Sequence, residues 1–452
     1  MKQFDAIIIG FGKGGKTLAG HLAKQGKKVA MIEKSEMMYG GTCINVGCIP
    51  SKSLVHSAAE SKLHNEASFA IKAETYKKAI EEKRSLTAKL RKKNYDKLAE
   101  HPNITVINGE ASFLSSTAVT VNGKEGMMEL QASNIFINTG SSSVIPAIKG
   151  IEENPHVFYS NTLMDLDKLP EHLVIIGGGY IGLEFASMYV NFGSKVTVLQ
   201  HGGTFLPKED TDIAEEIRSN LEAQGVQFLL NAATQEITMD GKVLAEVDGT
   251  MTVLAADAVL IATGRKANVE GLRLEAAGVE LTERGAIKTN EWRQTTAENI
   301  FAMGDVVGGL QFTYVSLDDY RIVSNYLDGK KTYSEKDRQH VPYSVFLETP
   351  FSRVGMNERE AKKAGYEIKV MKLPAMAIPK AQVLKKPAGL LKAIVNVKTN
   401  KILGAMLLCE ESYEMINLVK LAMDLNADYT VLKNQIFTHP TMSEALNDLF
   451  SM

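Results

Sequence analysis

The sequence predicts an α/β protein with two Rossmann-like domains, followed by an α+β domain. The first observation is that one glycine pattern, G-x-G-x-x-G, occurs twice, each time between a predicted strand and a predicted helix. The second is a change near residue 340 to strands and helices without glycine motifs. Because the pattern with its flanking elements is typical of dinucleotide-binding units, we expect two dinucleotide-binding domains in one chain.

The composition is that of an ordinary globular protein and excludes several classes. Of 452 residues, 44% are apolar and 23% charged, with a net charge of -2. This balance predicts no general attraction to nucleic acid or to a membrane, and no apolar run is long enough to span a bilayer. The N-terminal residues 1–15 form a strand and a glycine turn, which is not the pattern of a signal peptide. Three cysteines in so long a chain predict a cytoplasmic protein, in which a disulfide is catalytic.

The first dinucleotide unit occupies the N-terminus. A predicted strand at 4–9 is followed by Gly10, Gly12 and Gly15, a helix at 17–25 and a second strand at 28–32 that ends at Glu33. The glycines let the backbone approach a pyrophosphate at the helix N-terminus, and the acid can accept a hydrogen bond from a ribose hydroxyl. The alternative, a tight turn that binds nothing, is disfavoured because strand, helix and acid are all in place.

Two cysteines follow, Cys43 and Cys48, inside the stretch GGTCINVGCIPSK at 40–52. A bridge between them needs a distorted helical turn, which Gly47 and Pro50 permit. Near a helix N-terminus, Cys43 would be favoured as a thiolate. Taken alone, the pair could equally be two buried, unpaired small hydrophobes.

The second unit repeats the first. A predicted strand at 173–176 leads to GGGYIG at 177–182, a helix at 183–190 and a strand at 195–199, which ends at Gln200. An acid at this position would bind a free 2′-hydroxyl, and arginines nearby would bind a 2′-phosphate. Neither is present, so we expect NADH or NADPH to be used with weak discrimination. The alternative is a degenerate second unit that only packs.

Other candidates are weaker as isolated signals. A lysine-rich helical region is predicted at 53–99, and strands ending in Thr-Gly precede residues 141 and 265. A Gly304-Asp305 pair ends another predicted strand and can place a carboxylate on a sugar hydroxyl, although an Asp in a turn is the default. Near the C-terminus, His439 with Glu444 could form a general acid–base pair, although alone this histidine is more often structural.

Taken together and in this order, these motifs resemble the class I flavoprotein disulfide reductases, the family of dihydrolipoamide dehydrogenase, glutathione reductase and mercuric reductase. The resemblance covers the whole chain. It implies an FAD-binding domain at 1–147 that is completed by a central segment at 267–337. It implies further an NAD(P)H-binding domain at 148–266 and a dimerisation domain at 338–452 that forms a homodimer.

The resemblance also assigns roles to residues. It implies FAD contacts from Gly10, Gly12, Gly15, Glu33, Lys34, Gly41, Thr42, Lys52, Thr139, Gly140, Gly304 and Asp305. It implies NAD(P)H contacts from Gly177, Gly179, Tyr180, Ile181, Gly182, Gln200 and Gly264. Cys48 resembles the thiolate stacked against the flavin, Cys43 the interchange thiol, and Lys52 with Glu184 the ion pair beside the flavin ring. His439 with Glu444 would reach the dithiol of the other subunit, so the dimer would be obligatory for activity.

A narrower resemblance, carried by 38–41, 308–314, 341–346 and 436–440, is to the bacterial reactive-chlorine-resistance flavoproteins. That group is described as reducing hypothiocyanous acid and as reducing Cu(II). The chain lacks a C-terminal cysteine pair, and Phe437 stands where relatives carry a first histidine. We therefore predict reduction of a small thiol-reactive oxidant in oxidative-stress defence.

Other functions stay open at this point. The alternatives are a Cu(II) reductase, a lipoamide or low-molecular-weight disulfide reductase, and a copper-binding protein that uses Cys43, Cys48 and His439 as soft ligands. Beyond that possible copper contact no metal is predicted. Cys409 lies outside every motif and is interpreted as a buried hydrophobe.

Overall fold

The computed structural model describes residues 1–63 and 67–452. Its strands are β1 (Lys2–Ile9), β2 (Val29–Glu33), β3 (Ile104–Asn108), β4 (Glu110–Ser115), β5 (Ala118–Gly123), β6 (Gly126–Ile137), β7 (Ser141–Ser143), β8 (Val157–Tyr159), β9 (His172–Ile176), β10 (Lys195–Leu199), β11 (Val226–Leu229), β12 (Ala232–Ile237), β13 (Lys242–Val247), β14 (Thr250–Ala255), β15 (Ala258–Ile261), β16 (Arg265–Ala267), β17 (Ile300–Ala302), β18 (Tyr343–Val345), β19 (Phe351–Gly355), β20 (Ile368–Pro374), β21 (Leu390–Asn396) and β22 (Ile402–Leu408). Its α-helices are α1 (Lys13–Lys24), α2 (Thr42–Asn45), α3 (Cys48–Lys62), α4 (Phe69–Ala99), α5 (Ser160–Leu163), α6 (Tyr180–Phe192), α7 (Thr211–Ala223), α8 (Thr313–Leu327), α9 (Glu358–Lys363), α10 (Pro379–Val383), α11 (Ser412–Asp424), α12 (Thr430–Lys433) and α13 (Ala445–Leu449).

The first sheet is the scaffold of the first glycine unit. Its strands lie in the order β3-β2-β1-β6, all parallel, and β4 and β5 continue from β6 as an antiparallel meander. The carboxyl half of β6 also pairs in parallel with β17, far along the chain. The last four residues of β1 are all buried, as expected for a central parallel strand with both faces covered.

The second sheet repeats this arrangement. Five parallel strands lie in the order β11-β10-β9-β15-β8, and a separate antiparallel sheet is formed by β12, β13 and β14. The chain passes between the first and second units at β7 and β16. These two strands pair with each other as a short antiparallel ladder. The backbone therefore enters and leaves the second unit along one hydrogen-bonded ribbon.

The C-terminal part is a five-stranded antiparallel sheet in the order β18-β19-β22-β21-β20, with α11 packed against it. One hydrophobic cluster is built from residues of this part alone, among them Met371, Leu407 and Val419, whereas Met406 and Leu408 belong to a cluster shared with the second unit. The predicted fold class, two Rossmann-like units and a C-terminal α+β domain, is confirmed. The exact domain boundaries stay a prediction.

The lysine-rich region that we predicted as helical at 53–99 is two helices. They are α3 and α4, and residues 64–66 of that prediction lie outside the described residues. The predicted strands at 4–9, 28–32, 173–176 and 195–199 and the predicted helix at 183–190 match β1, β2, β9, β10 and α6 to within three residues, whereas α1 begins four residues before the predicted helix at 17–25. No helix in the described residues is both long enough and apolar enough to cross a bilayer.

Candidate active site

A cavity of about 750 Å³ lies at the carboxyl ends of β1 and β2. This is where open α/β sheets bind ligands, and the volume is ordinary for a cofactor site. Many residues that the resemblance assigned to FAD line this cavity. They are Gly10, Gly12, Glu33, Lys34, Gly41, Thr42, Thr139, Gly140 and Asp305, together with Cys43 and Cys48. Gly15, Lys52 and Gly304 do not line it.

The first glycine turn is held by two side chains from elsewhere in the chain. Gly10 has a φ of +103°, and a Cβ there would lie 2.3 Å from the carbonyl oxygen of Asn138. The Gly15 N–H donates to the Oδ1 of Asn138 at 2.9 Å, and the Gly14 N–H donates to the Oγ of Ser316 at 3.1 Å. These hydrogen bonds fix Gly14 and Gly15, which do not line the cavity, whereas Gly12 does line it.

Glu33 lies at the end of β2 and is 8% exposed. Its Oε2 accepts a hydrogen bond from the Phe11 N–H at 3.0 Å, and its Oε1 accepts one from the Ser35 N–H at 3.2 Å. Burial raises the pKa of this carboxyl, and these backbone donors oppose the shift. A carboxylate has about four lone-pair sites, so it can still accept from a ribose hydroxyl.

Asp305 takes part in a chain of contacts between the two units. Its Oδ2 accepts a hydrogen bond from the Ser141 hydroxyl at 2.7 Å. The Arg265 guanidinium donates to the same hydroxyl oxygen at 2.9 Å and to the Ser141 carbonyl at 2.6 Å. The preceding residue, Gly304, donates its N–H to the buried carboxylate of Asp319 at 2.7 Å. Gly304 therefore sets the backbone, and Asp305 presents its carboxylate at the cavity.

The two cysteines lie on either side of a break between helices. Cys43 belongs to α2, and Cys48 is the first residue of α3. A Cβ on Gly47, between the helices, would lie 2.9 Å from the Thr42 carbonyl, so only glycine fits the predicted distorted turn. Both cysteines are free thiols, and Cys409 is fully buried, as predicted.

The electrostatic environment favours a thiolate on Cys43. A hydrogen bond from the Cys48 thiol lowers the pKa of Cys43 to about 6, with help from the Thr313 hydroxyl and the Lys16 ammonium, against the opposing effect of burial. The same hydrogen bond, together with burial, raises the pKa of Cys48. Neither Lys16 nor Thr313 was found from the sequence, because each comes from the start of a helix remote in sequence from the dithiol.

The predicted ion pair is present. Lys52 Nζ lies 2.7 Å from Glu184 Oε2, and both side chains are partly buried. Two further contacts with Phe346, in β18's continuation, were not predicted. Its N–H donates to the other carboxylate oxygen of Glu184 at 2.9 Å, and the Lys52 Nζ lies 4.6 Å from its ring centroid. Phe346 therefore fixes both partners of the pair.

In the second unit, the glycines play different parts. A Cβ on Gly182 would lie 2.1 Å from the Gly177 carbonyl, so these two glycines pack closely. A Cβ on Gly179 or Gly264 would meet no atom within 4 Å, which leaves the backbone open to a ligand. At the end of β10, Gln200 accepts a hydrogen bond from the Gly178 N–H at 2.9 Å.

The two residues between these glycines differ in environment. The Tyr180 hydroxyl donates to Glu209 and lies 3.3 Å from the hydroxyl of Tyr343. Ile181 is 38% exposed at the start of α6. Whether either side chain contacts the nicotinamide nucleotide stays a prediction.

His439 and Glu444 form the predicted pair. His439 Nδ1 lies 2.9 Å from Glu444 Oε2, and this interaction lowers the pKa of the Glu444 carboxyl. The histidine side chain is 71% exposed and does not line the described cavity. Across 1–63 and 67–452, no three His, Cys, Asp or Glu side chains of one subunit are grouped to hold a metal ion. His439 is thus not combined with Cys43 and Cys48 within one subunit.

These features fit two dinucleotides. At the first site, the buried acceptor Glu33, the glycine turn and the Asp305 carboxylate converge on one cavity of cofactor size. At the second site, the open backbone at Gly179 permits a pyrophosphate to approach the N-terminus of α6.

Comparison with known proteins agrees with this geometry. The family model for pyridine nucleotide-disulphide oxidoreductase matches residues 4–319, and that for its dimerisation domain matches residues 341–450. The chain is 51% identical to the probable pyridine nucleotide-disulfide oxidoreductase RclA of Escherichia coli, over 100% of both chains. It is 34% identical to a mercuric reductase of Staphylococcus aureus, covering 98% of this chain and 81% of that one.

A solved structure gives the same result. The Cu(II) complex of the HOCl-induced flavoprotein disulfide reductase RclA from E. coli superposes with a TM-score of 0.94 and 51% identity, covering 100% of this chain and 99% of that chain. The predicted resemblance to flavoprotein disulfide reductases is confirmed, and with it dependence on FAD and a pyridine nucleotide as family properties. By sequence, by fold and by the geometry of its glycine turns, this chain belongs to the pyridine nucleotide-disulphide oxidoreductase family.

Proposed function

We propose that this enzyme uses NAD(P)H to reduce a small thiol-reactive oxidant, with hypothiocyanous acid as the substrate. The observation that carries the proposal is a thiol with a pKa of about 6, Cys43, next to a second thiol, Cys48. Such a thiolate is present at neutral pH and attacks electrophilic sulfur. The likeness to a protein described as HOCl-induced supports a role in oxidant defence.

The steps balance with the residues present. The Cys43 thiolate attacks the sulfur of hypothiocyanous acid, forming a Cys43 S–S bond to the SCN group and releasing hydroxide. Cys48 loses a proton, which converts that hydroxide to water. The Cys48 sulfur then attacks Cys43, releases thiocyanate and closes the Cys43–Cys48 disulfide. Reducing this disulfide back to two thiols takes two electrons, so one electron pair is used for each molecule of oxidant.

Bound FAD would supply the relay of that electron pair from NAD(P)H to the disulfide. The residues that would hold it are those of the first cavity, with Glu33 on the adenosine ribose and Asp305 on the ribityl chain. Lys52, held by Glu184 and Phe346, would place a positive charge beside the flavin ring. The second glycine turn would hold the nicotinamide nucleotide, and Gln200 brings no charge that selects between NADH and NADPH.

A homodimer would complete the site. Apolar side chains are exposed on α11, α12 and the following segment, and the dimerisation-domain model covers them. They include Leu421 (56%), Leu425 (71%), Val431 (47%) and Ile436 (93%). A second copy covering these side chains would bury His439 near the partner's dithiol. Held by Glu444, this histidine would then relay the proton from Cys48 to the leaving hydroxide.

The test is NAD(P)H oxidation by the purified flavoprotein with hypothiocyanous acid, Cu(II), lipoamide and glutathione disulfide in parallel. We expect fast turnover with hypothiocyanous acid, lost in Cys43→Ser and retained in Cys409→Ser, the matched control for a cysteine outside the site. Fast turnover with lipoamide or glutathione disulfide instead would show a general disulfide reductase and refute the proposal.

Reduction of Cu(II) is the second candidate, because the similar RclA structure is described as a Cu(II) complex. In this chain, Cys43 and Cys48 are the thiol ligands at the cavity. Copper as substrate predicts NAD(P)H consumption with Cu(II) alone, whereas copper as a retained ligand predicts tight binding that survives loss of turnover.

A further inference from the structure

We propose that Lys16, on the first dinucleotide helix, is a positioning residue for the Cys43 thiolate: it fixes the turn before Cys43 through two hydrogen bonds and adds a positive charge that favours the thiolate. The inference deepens the proposed function and rests on its use of Cys43 as nucleophile. It concerns a residue that lies one position after the glycine pattern and that the glycine motif itself does not require.

The geometry begins with the side chain's two hydrogen bonds. Lys16 Nζ donates to the Gly40 carbonyl at 3.1 Å and to the Asn94 Oδ1 at 2.6 Å. Gly40 lies three residues before Cys43 in the turn that leads into α2. Asn94 lies on α4, where its own amide donates to the Leu90 carbonyl at 2.8 Å and is thereby oriented. Lys16 therefore joins three separate elements at the base of the dithiol turn.

A neighbouring contact shows that this turn is braced rather than free. Arg91, one helical turn before Asn94 on α4, donates to the Met37 carbonyl at 3.1 Å. Asn45 donates to the carbonyls of Tyr39 and Gly41, each at 2.9 Å. The turn therefore keeps its shape through several contacts, and Lys16 is the member of the set whose charge acts on Cys43.

Lys16 and Cys43 each shift the pKa of the other. Burial lowers the pKa of Lys16 to about 8, with Lys13 and Lys97 contributing, and the Cys43 thiolate opposes this shift. The Lys16 ammonium in turn favours the Cys43 thiolate. The ammonium and the thiolate therefore stabilise each other's charged form. Between about pH 6 and about pH 8 the thiolate and the ammonium coexist.

The experiment measures the ionisation of Cys43 without any oxidant, so that it can fail independently of the proposed function. The FAD-loaded Cys48→Ser enzyme keeps a hydroxyl donor beside Cys43, and Cys409 is buried. Alkylation of Cys43 by iodoacetamide is followed by mass spectrometry from acid to alkaline pH. The variants on this background are Lys16→Met, Lys16→Arg and Asn94→Leu. The matched control is Lys24→Met, which removes the same charge from an exposed position on the same helix.

We expect Lys16→Met to slow alkylation by about fivefold at a pH equal to the parent pKa of Cys43, since loss of a nearby opposite charge raises a thiol pKa by about one unit. Lys16→Arg should restore most of the rate, and Lys24→Met should leave it unchanged. The alkylation rates of Lys16→Met and of the parent should converge at alkaline pH, where Cys43 is ionised in both enzymes. A purely structural role would instead lower the rate at every pH.

Two results would overturn the proposal. One is a Lys16→Met enzyme that retains FAD and alkylates at the parent rate at low pH. The other is a result with Asn94→Leu, and it applies if Lys16→Met does not bind FAD. Asn94→Leu, which keeps the ammonium but removes its oriented acceptor, would then be expected to slow alkylation at low pH, and an unchanged rate would refute the positioning role.

Discussion

The hydroxyl of Thr313, at the start of α8, should set the pH range in which Cys43 reacts. In Thr313→Val the hydrogen bond to Cys43 is lost and the shape is kept. A hydrogen bond to a charged group contributes ~1.5–3 kcal/mol, which corresponds to about one to two pKa units. Starting from a pKa of about 6, we expect that of Cys43 to rise to about 7–8 in the variant.

Because the pKa of Cys43 rises in the variant, the reaction should slow at low pH and not at high pH. At about pH 6 roughly half of Cys43 is thiolate in the parent, whereas in Thr313→Val the thiolate fraction falls by about fivefold to fiftyfold. At alkaline pH both enzymes are fully ionised, and the variant should react slightly faster, because a thiolate of higher pKa is the better nucleophile.

The assay is a single turnover of the prereduced enzyme with methyl methanethiosulfonate, a neutral reagent, across this pH range. Thr313→Ser keeps the hydroxyl and is the control. A Thr313→Val profile that coincides with the parent profile at low pH would show that this hydrogen bond does not determine the thiolate population.

Three further outcomes test other parts of the site. Gln200→Glu should lower the ratio of kcat/KM for NADPH to that for NADH by about 30-fold, measured with an artificial acceptor, because a new carboxylate repels a 2′-phosphate by ~2 kcal/mol; an unchanged ratio would place the 2′-position elsewhere. Mixed dimers of Cys43→Ser and His439→Ala subunits should recover about a quarter of wild-type turnover if the site is shared, since half the dimers are mixed and each has one intact site; no recovery would place both groups in one subunit. Asp319→Asn should destabilise the FAD-loaded enzyme by ~3 kcal/mol, because Arg293 and Arg338 each lose the more buried of their two carboxylate partners, and a Tm equal to that of wild type would contradict this.

Much of this molecule was predictable because its chemistry is local in sequence. The strand, glycine turn and helix of each unit, with Glu33 or Gln200 at the end of the next strand, lie within about 30 residues, as a βαβ unit requires. Cys43, Gly47 and Cys48 likewise lie within one turn and its break. His439 and Glu444 are five residues apart and meet as predicted.

The parts that were missed are contacts between remote segments. Lys16 reaches Asn94 across 78 residues, and Ser141 joins Asp305 across 164. Thr313 carries no local pattern that marks it as a partner of Cys43. Such pairs depend on how α1, α4 and α8 pack together, and side-chain periodicity indicates which face of a helix is buried but not which side chain it meets.

The pairing of β17 with β6 has a consequence for biosynthesis. Ile300–Ala302 completes the first sheet, and Ser316 holds the first glycine turn from still further along the chain. A nascent chain emerging from the ribosome therefore makes the whole second unit before it has the strand that closes the first one. The inserted unit can fold early, while the N-terminal unit waits with a strand edge unpaired. A truncation that stops short of this strand should therefore give a product that aggregates, rather than an isolated flavin-binding fragment.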